Sequence, residues 1–213
     1  MKIHTIQQGS PEWFELRVGK ITGGAAKSMI GAKWLELCDR IAAEQETGYS
    51  DDQFDMFESE DMIRGKDLEP IARAEYERLR AVKVEQLGFV QPDGIEHFGF
   101  SPDGFVPGES GYIGAIEIKS PRPKKHLTYI RQGKIPTEHE GQIIAAFLCC
   151  DSLKWVDFVS YCPEIERCPM YIIRAERELW QNVIEEYRTG MIKCGNQIAK
   201  IRAQLQTINE PVY

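Results

Sequence analysis

Apolar residues recur along the chain with two spacings, one typical of helices and the other of β-strands. Spacings of three and four residues predict helices over 11–18, 33–46, 62–80, 137–150 and 175–207. Alternating or continuous apolar runs predict strands over 82–90, 97–106, 112–120, 154–161 and 170–174. This order predicts an α/β (α+β) fold with a mixed central β-sheet flanked by helices, in which the first three strands form a meander.

Local sequence signals indicate where several of these helices should begin and end. Ser10 followed by Pro11 is typical of a helix N-terminus, and Gly19 marks the end of that helix. Thr137 and Glu140 have the spacing of a capping box and predict the start of the apolar helix that follows. Further boundaries or breaks are expected at Thr22, Gly31, Gly190 and Gly195, and the helix within 62–80 is expected to begin near Pro70 or one turn earlier.

The composition is that of an ordinary soluble globular protein, with 42% hydrophobic and 28% charged residues in 213. We expect one domain over 1–213, made of a helical N-terminal part (1–80), a sheet core (81–174) and C-terminal helices (175–213). No apolar run approaches the roughly 20 residues that span a bilayer, and no secretion signal is evident, which predicts a cytosolic location without a membrane partner. The six cysteines lack a C-x-x-C pair and predict buried thiols.

The distribution of charge matters more than its sum. The net charge of −7 is opposite to that of a generic nucleic-acid-binding protein. The acidic residues are concentrated in 49–61, which has no Lys or Arg, whereas 119–126 is basic. Because the local field steers a ligand into a cleft, a polyanionic substrate stays compatible with this composition.

The stretch from Gly99 to Pro121 carries charges where a core strand is expected. Asp103 lies in a Pro-Asp-Gly turn, and Glu117 and Lys119 share one face of the following strand. A hairpin would bring Asp103 beside Glu117, and a divalent cation would relieve the repulsion between these carboxylates. Mg²⁺ or Mn²⁺ is therefore expected, with Lys119 as a proton acceptor for phosphodiester hydrolysis. Taken singly, the turn and the Glu–Lys pair could be purely structural.

Several motifs together resemble one family. The sequences "SPDG" and "EIKSP" are similar to the core of the PD-(D/E)xK nuclease superfamily, and further motifs resemble its phage lambda exonuclease or YqaJ-type viral alkaline exonuclease branch. A W-x-x-x-R-x-G-x-I-T segment is matched by Trp13, Arg17, Gly19, Ile21 and Thr22. A helical R-G-K-x-x-E-P-x-A-R segment is matched by Arg64, Gly65, Lys66, Glu69, Pro70, Ala72 and Arg73, and H-x-x-Q by His139 and Gln142. The resemblance implies a restriction-endonuclease-like domain.

The resemblance also implies a metal site. Asp103 and Glu117 would ligate Mg²⁺, for which Mn²⁺ substitutes, with the backbone carbonyl of Ile118 as a third ligand. Lys119 would position or deprotonate the attacking water. Glu69 would approach from its helix to hold a metal-bound water or a second ion, although with Arg73 it could also form a simple ion pair on a solvated helix face.

The remaining matched residues would handle DNA. Gln142 would orient the lysine or the scissile phosphate, unless it is a core amide. Arg17 would hold the 5′-terminal phosphate, assisted by Lys125 or Lys124 from the basic segment and by Thr22. Without the resemblance, Arg17 could simply pack on a neighbouring tryptophan.

One position departs from the family pattern. After Ile-Thr the family often has Ala-Ser, whose hydroxyl helps to bind phosphate, whereas this chain has Gly23-Gly24. Backbone N–H groups would have to substitute for that hydroxyl.

The resemblance implies a Mg²⁺-dependent 5′-to-3′ exonuclease that acts on linear double-stranded DNA and leaves 3′ overhangs for phage-type recombination. It further implies a ring-shaped homotrimer around the DNA, a single-strand annealing protein as partner and a phage or prophage protein in the bacterial cytosol. Two rival hypotheses are an endonuclease or RecB-like nuclease and a non-catalytic DNA-end-binding subunit.

Overall fold

A computed structural model describes residues 1–50 and 59–207 of the chain. The strands are β1 (Lys2–His4), β2 (Phe89–Gln91), β3 (Gly104–Gly108), β4 (Gly111–Lys119), β5 (Trp155–Tyr161) and β6 (Met170–Glu176). The helices are α1 (Pro11–Arg17), α2 (Trp34–Thr47), α3 (Glu60–Arg80), α4 (Pro123–Gln132), α5 (Glu140–Cys149) and α6 (Arg177–Thr207). None of the described helices is long and apolar enough to cross a membrane.

The central sheet has the strand order β3-β4-β5-β6. β4 and β5 are parallel, and the other two pairs are antiparallel, so the expected mixed sheet flanked by helices is confirmed. The predicted three-stranded meander is wrong in part. β3 and β4 do form a hairpin, but from the preceding run only β2 becomes a strand, and it pairs with β1 in a separate sheet.

Each face of the sheet packs against a different set of helices. Ile116 and Ile118 of β4 lie in a small apolar cluster with Ala72 and Tyr76 of α3. Ala115, one residue away and therefore on the opposite face, belongs to the main core together with residues of α2, α5 and α6. This alternation places the side chains of 117 and 119 on the face that α5 covers.

At two helix starts the predicted side-chain caps can be compared with the structure. The Ser10 hydroxyl accepts the N–H of Trp13 at 3.3 Å, so the predicted cap of α1 is confirmed. The predicted capping box is wrong, because α5 begins after His139 and no side chain caps it. Between Thr22 and Gly31 only a short 3₁₀ helix forms, Ala26–Met29.

The expected helix boundary at Pro70 and the breaks at Gly190 and Gly195 are wrong. Pro70 lies inside α3, which begins ten residues earlier with Ser59 as its side-chain cap. α6 continues through both glycines. A Cβ at Gly190 would lie 3.0 Å from Ile30, and one at Gly195 would overlap the ring of His97. These glycines therefore permit close packing of α6.

The basic segment after β4 is a helix, α4, where a loop was expected. Pro123 occupies its first turn, a position that tolerates proline, and Gly133 ends it with a φ of 62°. His126 and Tyr129, three residues apart, are the buried side of this helix. Its basic residues consequently lie on a rigid element beside the end of β4.

Candidate active site

The hairpin of β3 and β4 brings the two carboxylates of the sequence prediction together. Asp103 immediately precedes β3, and its Oδ2 accepts the backbone N–H of Ile118 at 2.6 Å. Glu117 is the neighbouring residue on β4 and is 1% exposed. The N–H and C=O of a strand residue point to the same edge, so the Ile118 carbonyl also faces the side of Asp103.

Glu117 is bonded through only one of its oxygens. Its Oε1 accepts from Lys119 Nζ at 2.5 Å and also from the Nε2 of Gln142 on α5. Its Oε2 is buried and has no hydrogen-bond partner in the part of the chain that the structure describes. A buried carboxylate oxygen without a donor is costly, and such an oxygen indicates a group that arrives from outside the chain.

The electrostatics of the site indicate a shortage of positive charge. Burial and the nearby Asp103 raise the pKa of Glu117 to about 8, and burial likewise raises the pKa of Asp103. Burial and the charge of Asp103 raise the pKa of Glu69 as well. Burial alone would lower the pKa of Lys119, but these three carboxylates outweigh it and raise that pKa. In the metal-free site the surrounding carboxylates thus favour the protonated form of Lys119.

The donor set fits a hard divalent cation. Among residues 1–50 and 59–207, no three His, Cys, Asp or Glu side chains cluster as a complete metal cage. Mg²⁺, however, usually takes one or two carboxylates and keeps several waters. Asp103, the unpartnered Oε2 of Glu117 and the Ile118 carbonyl would provide such a partial set.

Glu69 approaches this site from α3 and forms the ion pair that the sequence suggested. It pairs with Arg73 one turn later, and the Nε of Arg73 donates to the backbone carbonyl of Asp103 at 2.9 Å. The ion pair therefore joins α3 to the turn that carries Asp103. The side chain of Glu69 is 34% exposed, and it lines the same cleft as Asp103 and Lys119.

The cleft has a volume of about 730 Å³ and a basic rim. Its cations are Lys66, Lys119, Arg122, Lys124 and Lys125. Arg122 pairs with Glu60 and Asp61, and Lys125 lies 3.5 Å from Glu138. The segment 118–137 contains no acidic residue, so the α4 side of the cleft is positively charged despite the acidic chain.

Arg17 and Thr22 line a second, smaller cavity of about 270 Å³. The guanidinium of Arg17 stacks 3.8 Å from the ring centre of Trp13, and burial lowers its pKa to about 10. Within the described residues no carboxylate pairs with Arg17. Lys124 and Lys125, which were expected to assist Arg17, line the first cleft and are not among the residues that line this cavity.

The two glycines that depart from the family pattern differ in their surroundings. A Cβ at Gly23 would lie 2.9 Å from Phe100, so this glycine serves close packing. A Cβ at Gly24 would meet nothing within 4 Å, and Gly24 lines the cavity of Arg17.

Sequence reasoning missed how the end of β4 is held. Arg64 donates from Nε to the carbonyl of Ser120 at 3.1 Å, and its two terminal nitrogens bond Glu164 at 2.7 and 2.8 Å. Arg64 thereby ties α3 to the residue after Lys119. Its place in the family motif was the only signal, because Glu164 lies 100 residues away.

Gln142 lies behind the cleft and bonds the same carboxylate oxygen as Lys119. Its Nε2 and the Nζ of Lys119 both donate to Glu117 Oε1, and Gln142 is not among the residues that line the cleft. Its own carbonyl oxygen lies 3.3 Å from Nδ1 of His139.

Fold and site together define a nuclease: a mixed sheet presents two carboxylates and a lysine at one end of a strand pair, beside a basic cleft. Residues 12–152, more than half of the chain, match the YqaJ-like viral recombinase domain. The chain belongs to this family, as the motifs indicated. Members of such nuclease families generally use divalent metal ions.

Solved structures of exonucleases are similar to this chain. The alkaline exonuclease LHK-Exo from Laribacter hongkongensis is 28% identical, with a TM-score of 0.74 over 93% of this chain and 100% of that one. Its complex with dAMP matches equally well. A phage-related exonuclease from Haemophilus somnus 129PT, 12% identical with a TM-score of 0.57 over 87% of this chain and 96% of that one, shares the fold. Comparison with curated proteins gives no match.

Proposed function

We propose that this protein is a Mg²⁺-dependent exonuclease that degrades one strand of linear double-stranded DNA from its 5′ end. The observation that carries the proposal is the buried, unpartnered Oε2 of Glu117 beside Asp103 and Lys119. Asp103, Glu117 and the Ile118 carbonyl would hold the ion. When bound, Mg²⁺ would polarise the scissile phosphate and make its attacking water more acidic.

The protein's own residues would then orient the reactants. Lys119, protonated among the carboxylates, would position the water or the scissile phosphate by hydrogen bonding. Glu69 would hold a further water at the cleft. Gln142 would fix the carboxylate of Glu117. Lys124 and Lys125 would contact the DNA backbone from α4.

The 5′ polarity rests on Arg17. Among the described residues no carboxylate pairs with the desolvated guanidinium of Arg17, which favours an anion, and Arg17 lies with Thr22 in a cavity, also lined by Glu44, that would take a terminal phosphate. Mononucleotide release is supported by the dAMP complex of LHK-Exo. Digestion from both 5′ ends would leave 3′ overhangs for annealing-type recombination.

We also propose the assembly implied by the family. Residues 1–213 would act as one catalytic domain, in a homotrimeric ring that encloses DNA and works with a single-strand annealing protein in the host cytosol. Most of the acidic segment 49–61 lies outside the described residues.

A strand-specific digestion tests the function. A linear duplex labelled along one 5′-phosphorylated strand is incubated with Mg²⁺ or chelator, beside a closed circular duplex and the Lys119→Ala variant. We expect progressive loss of the 5′-ended strand of the linear DNA, only with metal and with Lys119. Cleavage of the circle would favour an endonuclease. Binding of ends without cleavage would favour the non-catalytic subunit.

A further inference from the structure

A hydrogen-bonded chain of side chains leads from α4 to Glu117. The hydroxyl of Tyr129 lies 3.2 Å from His139 Nε2, and His139 Nδ1 lies 3.3 Å from Gln142 Oε1. Gln142 then donates to Glu117. Tyr129 is 2% exposed, and the imidazole of His139 stacks on Phe158 with ring centres 5.4 Å apart. The imidazole of His139, which also lines the cleft, is thus held by Phe158 on one face and by hydrogen-bond partners at both ring nitrogens.

The chemistry of each group fixes the direction of these bonds. Glu117 Oε1 is an acceptor, so Gln142 must turn its NH₂ group toward it. The amide oxygen of Gln142 then faces His139, whose Nδ1 must carry the proton. In a neutral imidazole Nε2 is consequently an acceptor, and the nearby Tyr129 hydroxyl can supply the donor. Burial, with the charge of Lys119, lowers the pKa of His139 to about 4, which agrees with a neutral ring.

Without His139, the amide oxygen of Gln142 would lose its donor, and only the bond to Glu117 would hold the side chain in this orientation. A rotated amide would set its oxygen against the carboxylate oxygen of Glu117, where two acceptors repel. The single bond left to Glu117 Oε1 would come from Lys119. The orientation of Glu117 therefore depends on a residue that does not touch it.

We propose that His139, with Tyr129 behind it, is a positioning residue that holds the Gln142 amide in the orientation that donates to Glu117. Glu117 Oε1 is then occupied by Gln142 and Lys119, and Oε2 is left for the metal ion. The inference rests on the proposed function, since it assumes that Glu117 is a metal ligand.

Two substitutions at His139 separate positioning from simple packing. His139→Asn places an amide N–H near the site of Nδ1, whereas His139→Leu fills space without a donor. We expect His139→Asn to stay within about threefold of wild type, and His139→Leu to lose about 10- to 100-fold in kcat and in Mn²⁺ affinity by calorimetry. The KM for DNA should change little in both, and thermal unfolding checks that each variant is folded. Equal kcat and Mn²⁺ affinity in the two variants would overturn the inference.

A matched control is His97, another largely buried histidine, whose Nε2 bonds the Met191 carbonyl at 3.0 Å. His97→Asn and His97→Leu should not differ in Mn²⁺ affinity. If they differ as the His139 pair does, the effect comes from general stability and the inference fails.

Nitrogen NMR of the imidazole provides a readout that needs neither metal nor activity. In the metal-free protein we expect the His139 ring to be neutral with its proton on Nδ1, and the signal to vanish in His139→Asn. A proton on Nε2 would overturn the inference even if the enzyme cleaves DNA. Conversely, wild type that neither binds Mn²⁺ nor cleaves DNA would sink the proposed function, whatever the tautomer.

Discussion

Glu117 and Asp157 are buried carboxylates on neighbouring strands, yet their surroundings are opposite. Asp157 faces α3, and its oxygens accept from Arg174 at 2.7 and 2.8 Å and from the Tyr76 hydroxyl at 2.8 Å. Glu117 faces α5, and one of its two oxygens has no hydrogen-bond partner among the described residues. Burial is therefore common to both carboxylates, and it is the unfilled acceptor that singles out Glu117 as the candidate metal ligand.

The same contrast holds for two arginines stacked on tryptophan. Arg174 lies 3.9 Å from the Trp155 ring centre and is bonded to Asp157. The guanidinium of Arg17 lies 3.8 Å from the ring centre of Trp13, and burial lowers the pKa of Arg17. The Asp157 cluster neutralises its own charges within the chain. Glu117 has only Lys119 as an ion-pair partner, and among the described residues no carboxylate pairs with Arg17, so under the proposed function these two side chains would receive a cation and an anion from outside.

Exchange of Glu117 for glutamine should have the largest effect. The glutamine oxygen can still accept from Lys119 and Gln142, but the charge for the metal is gone. We expect turnover to fall by about 100-fold or more, since a metal contributes several kcal/mol to the barrier. The rise in melting temperature that Mn²⁺ gives wild type should be lost, while the melting temperature in chelator should stay the same or rise.

Asp157→Asn is the reciprocal control. Loss of the ion pair with Arg174 should cost about 2 kcal/mol of stability, or about 4–8 °C in melting temperature. The further rise caused by Mn²⁺ should remain. If Asp157→Asn abolished that rise and Glu117→Gln kept it, the contrast between the two carboxylates would be reversed.

Arg17→Gln should have a smaller, more selective effect. Loss of a charge-assisted bond worth about 1.5–3 kcal/mol should reduce the preference for 5′-phosphorylated over 5′-hydroxyl duplexes by about 10- to 100-fold. The rate on 5′-hydroxyl ends should stay near that of wild type. Arg174→Gln serves as the stacked-arginine control and should retain the preference. An unchanged preference in Arg17→Gln would place end recognition elsewhere.

Gly24→Ser should give the smallest change, and in the opposite direction. The open space at Gly24 admits a hydroxyl that could join Arg17 on a phosphate. One added neutral hydrogen bond should raise the preference for 5′-phosphorylated ends by about 2- to 10-fold. Gly23→Ser, which would press on Phe100, is expected to lower stability without that gain. A Gly24→Ser protein with wild-type preference would contradict a phosphate in this cavity.

The sequence by itself determined the elements whose causes are local. Alternation along β4 put Glu117 and Lys119 on one face, and Ser10 capped α1 because the cap is formed within four residues. It also carried the motifs of the family. Local signals misled at Gly190 and Gly195, because close packing against Ile30 and His97 overrode the usual preference of glycine. They also misled at Pro70, which lies exposed inside α3.

Only the tertiary structure decided which charges are satisfied within the chain. Whether a carboxylate finds its donors depends on residues far away in sequence, such as Tyr76 for Asp157 and Gln142 for Glu117. The tertiary structure likewise decided that Lys124 and Lys125 line one cleft whereas Arg17 lines another. Hydrogen bonds act over about 3 Å, so their completion is set by the final packing, which residue spacing alone does not specify.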